Sequence, residues 1–242
     1  MGGDLLVGDG FDEGPTKHWF SNTGNLGDSG SDVLFGNFGN DTVLGGGWDD
    51  GLVADNGRFD MGEEIVTDTG DNTLWAGDGH DLIIGAAGND RLGGGPGSDT
   101  LRGEGGNDRI FGGGGTDTLN GGDGNDLIFN GAGDDNVDGG AGDDTLWGGP
   151  GSDTVAGGAG EDRFFFTATT GADQVNDFSV EDDILDLSYA SQQLADLELL
   201  QVASGNAVVD GQSGLLITIS EGNSVFLVGV SHDDLDAMTI VF

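Results

Sequence analysis

Apolar residues recur at every ninth position through residues 76–165: Ile83, Leu92, Leu101, Ile110, Leu119, Ile128, Val137, Leu146, Val155 and Phe164. A six-residue polar, glycine-rich stretch separates each three-residue strand-like segment from the next. No α-helix can use that spacing. A very short strand with one inward side chain, followed by a tight turn, can use it, and its repetition predicts a solenoid. The expected fold is all-β: a parallel β-roll with two nine-residue units per turn, whose inward residues form the only continuous core of this stretch.

Within each unit the turn has its own pattern. Glycine holds the fourth position throughout, as Gly79, Gly88, Gly97, Gly106, Gly115, Gly124, Gly133, Gly142, Gly151 and Gly160. The second position is Gly77, Gly95, Gly113, Gly122, Gly131, Gly140, Gly149 and Gly158, with Ala86 and Glu104 as departures. The sixth is always aspartate: Asp81, Asp90, Asp99, Asp108, Asp117, Asp126, Asp135, Asp144, Asp153 and Asp162. A turn this tight needs positive φ, which glycine adopts without a steric penalty. If units n and n+2 stack, Asp81 lies over Asp99 and Asp90 over Asp108, with turns roughly 4.8 Å apart. Stacked carboxylates repel unless a cation lies between them. Calcium suits this donor set, since it takes six to eight oxygens and accepts carbonyls beside carboxylates. Magnesium demands stricter octahedral geometry, and zinc prefers nitrogen and sulfur, which three isolated histidines (His18, His80, His232) and no cysteine barely supply.

Units such as 94–102 (GGPGSDTLR), 121–129 (GGDGNDLIF) and 139–147 (GGAGDDTLW) resemble the RTX family of secreted proteins, whose Gly-Gly-x-Gly-x-Asp-x-apolar-x unit forms a calcium-filled parallel β-roll. The resemblance implies that each ion sits between two stacked loops and takes carbonyl oxygens plus one aspartate from each. Carried onto these residues it implies eight sandwiched sites in the ten-unit array. Ala86 and Glu104 at the second position, and Ala76 and Asn130 at the first, are expected to weaken particular loops, Asn130 least because asparagine tolerates left-handed backbone.

The chain has 242 residues, with 45 Asp+Glu against 6 Lys+Arg and a formal charge of -39, which excludes unaided binding to nucleic acid or an acidic membrane surface. Low hydrophobicity with such charge predicts disorder for the metal-free repeats. Folding is therefore expected to be coupled to calcium, at the roughly 10⁻⁴ to 10⁻³ M typical of extracellular modules. No apolar run spans a membrane, and the first residues (MGGDLLVGDG) lack the basic and apolar segments of a signal peptide. The RTX resemblance implies instead export through the type I secretion machinery, with an uncleaved signal near the C-terminus, and an extracellular location.

Three blocks are expected: residues 1–66, an irregular β-roll block with an inserted loop at 11–26; residues 67–165, the main roll; and residues 166–242, a β-rich cap carrying the secretion signal. In the first block Asp32, Asp41 and Asp50 hold the ligand position, and Asp32 and Asp50 would form one more site. The register slips by four residues across 54–66. Phasing backwards puts Asp4 in the ligand position, so the chain begins inside a repeat, as a piece of a longer protein would. After residue 165 glycine thins to six, against twenty-nine in the preceding ninety residues, and the segments 174–178, 183–187, 207–210, 215–220 and 224–230 read as strands, with a helix near 191–200. A solenoid needs such a lid to cover its last turn.

Outward positions distinguish the two faces. One collects Trp75, Gly93, Phe111, Phe129, Trp147 and Phe165 beside Arg91, Arg109 and Arg163. A row of aromatics this long is expected to be covered, either by the N-terminal block or the cap packing across it, or by a partner: a polysaccharide or a second copy. Trp19, in the 11–26 segment, is a further candidate contact. No catalytic constellation is present: no His-Glu-x-x-His, no Gly-x-Ser-x-Gly, and no histidine beside a nucleophile. The expected role is a non-enzymatic calcium-binding module for folding and export of a larger secreted protein. A calcium-dependent polysaccharide- or surface-binding adhesive module is the alternative, and the tail of a secreted enzyme with its catalytic domain elsewhere is a third reading.

Overall fold

A computed structural model describes residues 70–167, 171–190 and 204–242 in full. It also gives the backbone of the strands Leu5–Val7, His18–Ser21, Val33–Phe35, Asp41–Gly47 and Gly51–Val53. The described strands form two sheets, of twelve and ten strands, and successive strands alternate between them up to Ile184–Asp186. In the first sheet Leu82–Ile84, Thr100–Gly105, Thr118–Asp123, Asn136–Ala141 and Thr154–Ala159 lie side by side. In the second, Thr73–Asp78, Arg91–Pro96, Arg109–Gly114, Leu127–Ala132, Thr145–Gly148 and Arg163–Phe166 do the same. All these pairs are parallel, and each residue pairs with the one eighteen positions on, as Ile110 with Ile128 and Leu119 with Val137.

The register is twice the period. One turn spends two nine-residue units, so the eighth-position residues stack in two rows, back to back, between the sheets. Leu92, Leu101, Ile110 and Ile128 are wholly excluded from solvent, and the core continues into the cap through Val175, Leu185, Leu215, Ile217 and Val225. Strands Ala172–Val175 and Ile184–Asp186 extend the two stacks in parallel. On the first sheet Asn223–Val228 adds in parallel, followed by the antiparallel Gln212–Ser220 and Ser204–Val209. On the second, Thr239–Val241 pairs with Ile184–Asp186.

The strands expected after residue 165 are all present, with shifted ends. The helix expected near 191–200 and the slip across 54–66 lie outside the described residues. One expectation changes. The segment 11–26, read as an inserted loop, contains the strand His18–Ser21, paired in parallel with residues 41–44. Its Trp-Phe pair carries the strand propensity that the lost period concealed.

In the aromatic row the rings stack on one another: Trp75 on Phe111 at 5.9 Å between centroids, Phe111 on Phe129 at 5.3 Å, Phe129 on Trp147 at 5.6 Å and Trp147 on Phe165 at 4.2 Å. Parallel register places equivalent side chains one strand spacing apart, close to the ring-stacking distance, so the sheet itself brings the rings together. Gly93 interrupts the row because Trp75 leans across it, and a Cβ there would overlap the indole. Arg91 lies over both Trp75 and Phe111. At the other end Tyr189 of the cap meets Trp147 and Phe165, and Arg163 lies over Phe165 while its Nε donates to Asp186 at 3.1 Å. With stacked pairs worth about 0.5–1.5 kcal/mol each, Phe129→Ser is expected to cost about 1–3 kcal/mol on its two ring contacts alone. Thermal denaturation of the calcium-loaded chain reads this, and an unchanged midpoint would mean that the ladder contributes nothing to stability.

Candidate metal-binding edges

The turns between the sheets stack along two edges. One carries Asp81, Asp99, Asp117, Asp135 and Asp153, the other Asp90, Asp108, Asp126, Asp144 and Asp162. Every one of these side chains is buried. Each from Asp99 to Asp162 in its column reaches back one turn, its Oδ1 accepting the backbone N–H of the aspartate eighteen residues earlier. Asp126 takes the N–H of Asp108 at 2.7 Å, and Asp135 that of Asp117 at 2.8 Å. The same contact recurs for Asp108, Asp117, Asp144, Asp153 and Asp162.

The other oxygen is left over. Oδ2 of Asp108, Asp117, Asp126, Asp135, Asp144 and Asp153 is buried and accepts no hydrogen bond. Its surroundings explain the first-position glycine. A Cβ on Gly112 would crowd both Asp117 Oδ2 and the carbonyl oxygen of Asn130 in the next turn, and one on Gly103, Gly121 or Gly139 would meet the same pair of oxygens in its own turn. Each gap is thus a small space lined by one orphaned carboxylate oxygen and a main-chain carbonyl, kept open by the missing side chain.

Burial without a counter-charge raises the carboxyl pKa values. It pushes Asp108, Asp135 and Asp144 up to about 7, helped by the carboxylates above or below and opposed by the N–H from the preceding turn. Asp153 and Asp162 rise to about 6, and Asp117 and Asp126 also rise. Because the folded values exceed the unfolded 3.8, protonation stabilises the metal-free fold, and that stability is lost as pH rises through 6 to 7. We expect the metal-free chain to keep sheet structure near pH 4 and lose it by pH 8, read by circular dichroism in metal-free buffer; stability rising with pH in that window would contradict the sign.

A divalent cation fits these gaps. It would satisfy the orphaned Oδ2 atoms, offset the like charges and take the facing carbonyls as further ligands. Among the described residues no three acidic, histidine or cysteine side chains gather into one cluster, so main-chain oxygens must complete any coordination shell. That favours calcium over zinc.

The predicted glycines fall into separate roles. Second-position glycines other than Gly149 are left-handed, Gly95 at φ 116° and Gly113 at 115°, and Ala86 and Glu104 adopt the same region at φ 74° despite their side chains. Fourth-position glycines are left-handed too, and like Gly95 and Gly113 lie directly against the carbonyl of the turn below. Asn130 departs from expectation: it is not left-handed, because the first position is small for lack of space rather than for φ. Asp32 and Asp50 lie outside the described residues, Asp41 starts a strand described by backbone alone, and the Trp19 side chain is likewise outside.

Two aspartates of the columns break the nine-residue period. Asp173 accepts the N–H of Asp153 and Asp183 that of Asp162, after insertions of two and three residues. The segments ADQV and DDIL carry the aspartate-then-apolar signal, which a tolerance for unequal turn lengths would have caught. Fifth-position side chains form a second ladder outside the first: Asn89 accepts from Asn107, Asn107 from Asn125, His80 from Ser98. The recurring polar residue there was its only trace in the sequence.

Among the described residues no helix is long and apolar enough to cross a membrane. A family model of the RTX calcium-binding nonapeptide repeat matches residues 26–58, 60–92, 93–128 and 129–164. No curated protein sequence matches the chain. Among solved structures, the extracellular lipase LipA from Serratia marcescens aligns at 17% identity and TM-score 0.30, over 93% of this chain and 42% of that one. The AlgE6R3 subunit of the Azotobacter vinelandii mannuronan C5-epimerase aligns at 22% identity and TM-score 0.20, over 81% and 79%. The chain thus spans less than half of the lipase.

Proposed function

Since the chain belongs to the RTX calcium-binding nonapeptide-repeat family, whose model covers more than half of it, we propose that its two aspartate edges hold a column of calcium ions each and that it folds on meeting calcium after export, as the C-terminal folding and secretion region of a larger secreted protein. The observation that carries this reading is the run of buried Oδ2 atoms without donors, repeated at each turn beside a first-position glycine. Calcium supplies positive charge and a flexible oxygen-coordination shell. The protein's own residues do the rest. The aspartate Oδ1 atoms tie each turn to its neighbour, the glycines let the carbonyls approach, and the fifth-position ladder holds the turn from outside.

In this reading the paired acids of the turns serve calcium rather than catalysis, and the region is a non-enzymatic module. Residues 166–242 serve in this reading as the lid, since their strands complete both sheets, and as the carrier of the export signal. Equilibrium dialysis against radioactive calcium tests the binding. Several ions per chain are expected at millimolar free calcium, undisplaced by equal magnesium, and binding of one ion or none would overturn the proposal.

A further inference from the structure

The segments 94–99 and 148–153 have the same sequence, GGPGSD, and the same place on the same edge, yet they fold differently. Gly95 has φ 116°, whereas Gly149 is the one second-position residue of the ten units outside the left-handed region. Local sequence cannot cause this. The neighbouring turns differ on both sides: beneath, 94–99 stacks on a turn whose first residue is Ala76 and 148–153 on one whose first residue is Asn130, and above, Gly112 lies over Gly94 and Phe166 over Gly148.

Asn130 is buried, and its Oδ1 accepts the N–H of Gly149 at 2.7 Å. That donor fixes the orientation of the carboxamide and turns its Nδ2, which makes no hydrogen bond of its own, into the gap between the two turns. The Asp153 carboxylate enters the same gap to accept from the Asp135 N–H. The nearest atoms to a Cβ on Gly148 belong to the ring of Phe166 in the turn above, and Asp153 Oδ2, whose counterpart Asp99 Oδ2 crowds Gly94, is not among them. So the gap contains an amide where its neighbours have open space, and the peptide that would present a carbonyl has turned to present an N–H.

We propose that the gap between turns 130–135 and 148–153 is closed by the Asn130 carboxamide and takes no calcium ion, so that one metal column is interrupted at that level. The carboxamide fills the space that a cation would take at that level. The Asn130 main-chain carbonyl still faces Asp117 Oδ2 in the gap below, so the interruption is confined to one level. This rests on calcium occupying the other gaps.

Counting bound calcium at saturation tests it. Asn130→Gly reopens the gap and is expected to bind one ion more than the parent chain. A crystal structure of the unaltered calcium-loaded chain reads the same question without a variant, by anomalous peaks in the flanking gaps and none between 130–135 and 148–153. An equal count in Asn130→Gly and the parent, a lower count in Asn130→Gly, or a peak in that gap would each overturn the inference. Absence of calcium from every gap would instead overturn the proposed function.

Discussion

Withdrawing calcium at neutral pH is expected to abolish most of the β-sheet circular dichroism of this chain, and restoring it to bring the signal back. The reasoning is a comparison of magnitudes. A domain is stable by about 5–15 kcal/mol. An ion that binds only the folded state at a hundredfold excess over its Kd adds about 2.7 kcal/mol, so about two to six occupied gaps match the whole of that stability. Without them the folded chain holds a net charge of -39 and buries two columns of aspartates whose pKa values reach about 7. Near pH 8 those groups must either ionise without a partner or expel themselves to solvent by unfolding. Each unit offers one inward apolar side chain in compensation. A chelator-treated chain that keeps its full sheet signal at pH 8 would show that the hydrophobic core suffices alone.

Gly97→Ala is expected to destabilise the calcium-loaded roll by more than about 3 kcal/mol, lowering its melting midpoint by roughly 10 °C. Gly97 has φ 149°, and a Cβ on it would overlap the Gly79 carbonyl oxygen in the turn below. The new methyl therefore strains the backbone and pries two turns apart, disturbing the N–H of Gly79 that donates to Pro96. Gly105→Ala supplies the contrast. A Cβ on Gly105 meets nothing within 4 Å, so the change is expected to fall within about 0.5 kcal/mol. Equal effects of the two substitutions would show that turn flexibility, rather than the closeness of stacked carbonyls, sets the cost. The second position lies as close to the carbonyl below, yet it accepts Ala86 and Glu104 with φ at 74°, whereas the fourth is glycine in all ten units.

The nine-residue period by itself determined the solenoid and the inward row from Ile83 to Phe164, whereas the eighteen-residue register, two units to the turn, is set by how the strands pair. Gly-x-Asp spacing likewise determined which residues line the edges, since only a tight turn can use it. Tertiary structure decided what those residues do there. Whether an aspartate oxygen is orphaned depends on the N–H of a turn eighteen residues away, so the split of labour between Oδ1 and Oδ2 has no local signature. Asp173 and Asp183 join the columns because a turn can lengthen while its carboxylate keeps its place, which a fixed period cannot register. The aromatic row was legible as a pattern, but the stacking of its rings on one another is a consequence of strand spacing rather than of composition. The clearest case is GGPGSD, one hexapeptide in two conformations: its sequence fixes a turn, and the turns stacked on it, which bring Asn130 and Phe166 to one copy and Ala76 and Gly112 to the other, differ between the two.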